Sequence, residues 1–200
     1  MKFEDYRALF LVASLVSGVL AASPALSLFV SFPTSGESFS EFWLLGLDHR
    51  AESYPFNVSV DETNGPIYLG VRNHMGSSKY YMVYVKLRNQ TQPLPDGSTG
   101  KPSPVPPLYE FQFFLSDDEV WEHPVTFVIH YTSSQNDSVV VHYTSINGVR
   151  FPVNSSSIWD WERNGFYYQL FFELWLYNTA SHSFQYYDRF VGIWLNMTVF

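Results

Sequence analysis

"IYLGVRNHMGSSKYYMVYVKL", residues 67–87, carries the pattern that decides the fold. Ile67, Leu69 and Val71 fall on one side of an extended chain. After a short polar break, Tyr81, Val83, Val85 and Leu87 do the same. Tyr80, Met82, Tyr84, Lys86 and Arg88 point the other way. Period-two alternation marks strands with one buried face. The break holds Asn73 and His74, so it reads either as a site or as a turn. Asn tolerates the left-handed region and Gly76 supplies another such position. A metal needs several ligands, and no second histidine stands at a matching spacing. The stretch therefore predicts a hairpin connection, with His74 as a turn residue.

Outward from there the same pattern repeats. "FSEFWLLGL" (39–47), "YPFNVSV" (54–60), "LYEFQFFL" (108–115) and "VWEHPVTFVIHY" (120–131) read as strands. So do "SVVVHYTSI" (138–146), "FYYQLFFELWLYN" (166–178) and "FQYYDRFVGIWLNMTVF" (184–200). Eight to ten short strands without an amphipathic helix predict an all-β, immunoglobulin-like antiparallel β-sandwich over residues 39–200. "NQTQPLPDGSTGKPSPVPP" (89–107) is a loop by its prolines and glycines, expected to be exposed and mobile.

Composition narrows the function. Phe, Tyr and Trp make up 19 % of the 200 residues, which suits pleated, half-buried surfaces. Net charge is −8 with 11 Lys and Arg, and no basic stripe exists to displace counterions. Nucleic acid is excluded as a partner on that ground. The chain has no cysteine, which removes disulfides and thiol nucleophiles together.

Residues 8–32, "ALFLVASLVSGVLAASPALSLFVSF", run for 25 residues without a charge. That length spans a hydrocarbon core of about 30 Å. Two readings stand. The run is a transmembrane anchor in contact with membrane lipid, with residues 1–7 in the cytoplasm and 33–38 as a polar stem. Alternatively it is a signal peptide cut after "VLA" (19–21). Its length favours the anchor. Both readings place the rest outside the cytoplasm. Sequons at Asn57, Asn89, Asn136, Asn154 and Asn196 fit that location as glycosylation sites.

Five phrases occur in a telling order: "GESFSEFWLLG" (36–46), "AESYPFNVSV" (51–60), the 67–87 stretch, "VWEHPVTF" (120–127) and "YDRFVGIWLNMT" (187–198). Together they resemble the extracytoplasmic C-terminal part of the DUF1616 family, largely archaeal membrane proteins of unknown function. The resemblance implies a β-sandwich held at the outer face of a membrane. A typical member carries several membrane helices ahead of this domain, whereas one apolar run stands here. Loop 89–107 and residues 132–165 look like insertions. The family has no assigned catalytic residues, so none carries over.

Candidate sites are few. "SDDEVWEH" (116–123) groups carboxylates with a histidine, but the calcium-loop pattern is missing and a solvated turn is expected. No phosphate loop, dinucleotide fingerprint or nucleophile elbow occurs, so no catalytic residue, metal or cofactor is expected. Tyr80, Tyr84, Trp159 and Trp161 are the aromatics expected to form an interaction patch. The expectation is a non-enzymatic structural or interaction protein of the archaeal cell envelope, with an envelope protein or glycan as partner. The alternatives are a secreted filament subunit joined by strand exchange and, more remotely, a carbohydrate-binding domain.

Overall fold

Tyr81, Val83, Val85 and Leu87 are all buried in a single core. They lie on β4 (Lys79–Asn89), and their inward face is the one the alternation marks. The same holds for Ile67, Leu69 and Val71 on β3 (Thr63–His74). Burying side chains of this size stabilises by about 1.5–3 kcal/mol each.

The computed structural model describes residues 6, 10–14, 16–17, 38–134 and 138–197. The chain divides between residues 37 and 38 into two units. In the first, the described residues are helical. Among the described residues no helix is long and apolar enough to cross a membrane. Most of the expected span 8–32 and of the stem lies outside them, as does Asn136.

The second unit is all-β. The remaining strands are β1 (Phe39–Leu45), β2 (Asn57–Val58), β5 (Tyr109–Leu115), β6 (Val120–Ser134), β7 (Ser138–Ile146), β8 (Val149–Ile158), β9 (Tyr167–Asn178) and β10 (Ser183–Met197). One sheet runs β1-β3-β6-β7-β8 and the other β2-β10-β9-β4-β5. Pairing is antiparallel except between β2 and β10. Residues of both sheets share the core, making a β-sandwich.

The hairpin expected at residues 67–87 does not form. β3 pairs with β1 and β6, whereas β4 pairs with β5 and β9. The break is an arch that carries the chain from one sheet to the other. Alternation reports which face of a strand is buried, and it is the same whether the next strand pairs or packs across.

Asn73 shows how the arch is held. It is fully buried. Its Nδ2 reaches the carbonyls of Ser77, Leu115 and Ser116 at 2.9, 3.0 and 3.0 Å. Its Oδ1 accepts from the Met75 amide and the Tyr81 hydroxyl, each at 3.0 Å. One side chain thus joins the end of β3, the arch, β4 and the end of β5.

Loop 89–107, expected to be exposed and mobile, is exposed along much of its length, including 96–101, but one part folds back on the outer face of the β2-β10-β9-β4-β5 sheet, where Ser103 and Val105 are buried.

Candidate functional site

Strand β9 decides what this outer face contains. In "YYQLFFELWLYN" Tyr168, Leu170, Phe172 and Leu174 enter the core. The residues between them face outward, yet Tyr167, Gln169, Phe171 and Glu173 are buried too. Loop 89–107 covers Glu173, whereas Tyr167 meets the Phe56 ring and the Arg163 carbonyl.

Register sets the rows. Arg88 lies opposite Gln169, Lys86 opposite Phe171, Tyr84 opposite Glu173 and Met82 opposite Trp175. On β10, Trp194 pairs with Gln169, Gly192 with Phe171, Tyr186 with Trp175 and Phe184 with Tyr177. Gly192 is required for space: a Cβ there would sit 2.7 Å from Cβ of Phe171.

The covered half is polar and closed. Lys86 Nζ lies 2.8 Å from Glu173 Oε2, with the two side chains 4 % and 0 % exposed. Lys86 also donates to the Ser103 carbonyl at 2.8 Å. The Ser103 amide donates to Glu173 Oε1 at 2.8 Å, and the Trp175 indole to Oε2 at 3.2 Å. Both carboxylate oxygens therefore have donors, as a buried charge needs. Beside them Arg88 Nε donates to Gln169 Oε1 at 2.8 Å, and its Nη1 donates to the Gln92 carbonyl. Its guanidinium lies 5.0 Å from the Trp194 ring. Burial lowers the Arg88 pKa.

Burial is lower on the other half of the face: Phe114 is exposed and Tyr80, Tyr177 and Phe184 are half-buried, while Met82 stays buried. Phe114, Tyr80, Tyr177 and Phe184 form a row across β5, β4, β9 and β10. Tyr80 and Phe114 stack with ring centres 4.1 Å apart. Tyr80 stands 5.9 Å from Tyr177 and 4.9 Å from Phe184. Phe114 is 70 % exposed. A second row holds Met82, Trp175 and Tyr186, with Trp175 and Tyr186 centres 5.9 Å apart and Tyr84 edge-on to Trp175. A shallow cleft of about 240 Å³ lies beside it, lined by Tyr177, Gln185, Tyr186 and Tyr187. The Tyr186 hydroxyl is buried without a hydrogen-bond partner. Burial, then Glu173 and Asp188, push its pKa up to about 12. The face can stack and exclude water; its polar groups mostly bind each other, as Gln112 does in accepting from the Tyr80 hydroxyl.

The expected interaction aromatics divide. Tyr80 and Tyr84 belong to this face. Trp159 and Trp161 sit together in the β8–β9 connection, ring centres 6.2 Å apart. Trp159 packs against Phe166 and the core, and Trp161 is 77 % exposed. The four do not form one patch.

The other candidates are bound to the chain itself. His74 lies 3.1 Å from Glu41 and 2.7 Å from Asp118, tying β1 to the turn after β5. In 116–123, Asp117 accepts from the Gly76 amide, Glu119 from the Ser116 amide, and Glu122 pairs with His49. Among the described residues no group of three or more His, Asp or Glu is placed to hold a metal ion.

Lys86 and Glu173 escaped the sequence reading. The signal was present: a lone carboxylate inside an otherwise apolar strand, in a chain with 11 cations, requires a partner.

The fold and this face define a two-sheet β-sandwich with an aromatic outer surface. The chain belongs to the DUF1616 family, "Domain of unknown function (DUF1616)", whose family model matches residues 33–147. The match takes in β1 to β7 and leaves β8, β9 and β10 beyond it. No curated protein matches the chain. Among solved structures, a Listeria innocua β-glucosidase in complex with glucose aligns at 13 % identity and TM-score 0.35, covering 80 % of this chain and 17 % of that one. The β-glucosidase from Listeria innocua in complex with gluconolactone aligns at 12 % identity and TM-score 0.30, covering 82 % and 17 %. The chain spans under a fifth of the length of either enzyme chain.

Proposed function

We propose that the chain is a non-catalytic interaction module held outside the cytoplasm at the cell envelope, with residues 8–32 as its membrane anchor. The observation that carries the interaction role is the aromatic row Phe114–Tyr80–Tyr177–Phe184, exposed at Phe114 and half-buried along the rest. Aromatic side chains are enriched at the centres of protein interfaces, and an envelope protein is the partner this row suits. The apolar run at 8–32 and the sequons support the location.

The sandwich is read as immunoglobulin-like, with β3, β4, β9 and β10 as strands B, C, F and G. It departs from the ABED order of that fold. After β5 the chain goes straight to β6, beside β3, and only then outward through β7 to the edge strand β8.

The test combines two measurements. Protease added to intact cells should remove residues 38–200 and spare a membrane-bound N-terminal fragment. The double variant Phe114→Ser, Tyr80→Ser should stay in the membrane fraction and lose its envelope partner. A protease-resistant protein contradicts the location, and an unchanged partner contradicts the role.

A second reading is a secreted filament subunit joined by strand exchange. An apolar groove of about 540 Å³ favours it, lined by Leu44, Tyr54, Phe56, Val191 and Trp194 beside β10. Under that reading the mature protein starts near Ala22. Intact mass of the native protein separates the two.

A further inference from the structure

We propose that Asn154 is the sequon that carries a glycan, and that the fold withholds Asn89 and Asn196. The inference rests on the extracytoplasmic location proposed above.

Three of the four sequon asparagines among the described residues are held by the fold. Asn89 is half-buried at the end of β4. Its Nδ2, the atom a glycan would occupy, donates to the Ser156 carbonyl at 2.7 Å. Its Oδ1 accepts from the Thr91 amide and hydroxyl, each at 2.9 Å. Asn196 is equally engaged. Its Oδ1 accepts from the Phe166 amide at 3.2 Å, and its Nδ2 donates to Asn57 Oδ1 at 3.2 Å. It also lies tight against Gly165, where a Cβ would sit 2.3 Å from its Oδ1. Asn57 is exposed, but its sequon is clamped: Asn57 and Val58 pair with β10, and Val58 is fully buried.

Asn154 is exposed like Asn57, but no strand pairing holds it. It lies on β8, the edge strand of its sheet. The β7–β8 register slips between Val141 and Tyr143, so Val153 and Asn154 stand opposite His142 alone. This is a β-bulge, which leaves a residue outside the ladder. Asn154 has φ 50, in the left-handed region that Asn tolerates. Both Asn154 and Ser156 are exposed. The amide and the hydroxyl that define the sequon are thus both reachable in the folded chain.

The transfer balances with one co-reactant, a lipid-phosphate-linked oligosaccharide presented by a membrane transferase. Asn154 Nδ2 attacks the anomeric carbon. A C–N bond forms, the sugar–phosphate C–O bond breaks, the amide gives up one proton and the lipid phosphate leaves. The glycan would also shield β8, whose Val149 and Ile158 are exposed apolar residues on a sheet edge. Open edges invite pairing with other chains unless they are blocked.

The test is glycopeptide mass spectrometry on the full chain from its native membranes. Trypsin releases residues 151–163, which contain Asn154 and no other sequon. The expected result is a glycan on that peptide and none on Asn89 or Asn196. Asn154→Gln and Ser156→Ala should each abolish it, the second leaving the asparagine in place. A glycan on Asn89 or Asn196, or a bare 151–163 peptide in a chain that external protease cleaves on intact cells, overturns the proposal. A bare peptide in a chain that protease cannot reach overturns it through the location instead.

Discussion

Lys86 and Glu173 form a 2.8 Å ion pair on the outer face of a sheet, not in the sandwich core, and loop 89–107 seals it from water. Removing one partner leaves a buried charge alone, which costs about 3–5 kcal/mol. Lys86→Met should destabilise the chain by that amount in urea unfolding followed by tryptophan fluorescence. The double variant Lys86→Met, Glu173→Leu should recover most of the loss, because two apolar side chains need no compensation. A single variant within 1 kcal/mol of the parent, on the order of a surface pair, would contradict the burial.

The same pair orders the loop. The Ser103 amide donates to Glu173 Oε1, whereas Gly97 sits in an exposed turn. Hydrogen exchange should therefore find the Ser103 amide strongly protected and the Gly97 amide fast. In Glu173→Leu the Ser103 protection should collapse while the amides of β4 stay slow.

Asn73 and His74 are adjacent and should behave oppositely. Asn73 is buried and hydrogen-bonded through both ends of its amide. Asn73→Ala strands several buried groups at about 1–3 kcal/mol each, so a loss of about 3 kcal/mol or more is expected. His74 touches Glu41 and Asp118 nearer the surface. His74→Ala should cost about 1 kcal/mol and leave membrane localisation unchanged. Equal losses at the two positions would refute this division.

Asp96 closes the turn at the tip of the loop. Hydrogen bonds from Ser98 and then Thr99 lower its pKa from 3.8 to about 2. A carboxyl depressed by folding adds stability above its unfolded pKa and loses it as pH falls through the folded value. The turn should therefore hold at pH 5 and loosen as pH falls from 3.8 towards 2. Carbon-detected NMR titration of Asp96 checks the midpoint, and Ser98→Ala with Thr99→Val should move it back up.

Sequence alone was informative about faces and poor about partners. The alternation in 67–87 marked Ile67, Leu69, Val71, Tyr81, Val83 and Val85 as inward, and all are buried. It could not tell a hairpin from an arch, since that depends on β1, β5, β6 and β9, dozens of residues away. Proline and glycine correctly made 89–107 a loop. Its coverage of β4 and β9 depends on Lys86 and Glu173, which meet only when the sheet assembles. The sequence marks Tyr80 as a surface aromatic, but Phe114, Tyr177 and Phe184 join it only through strand register.

Site-specific photo-crosslinking in intact cells shows whether the aromatic row meets a partner. A photoreactive residue is placed at Phe114 in one variant and at Ile158, 64 % exposed on the opposite sheet, in another. A discrete envelope protein captured from position 114, absent from 158 and lost when Tyr80 and Phe184 are changed to serine, is the predicted result. No adduct at 114, or the same adducts from both positions, would contradict it.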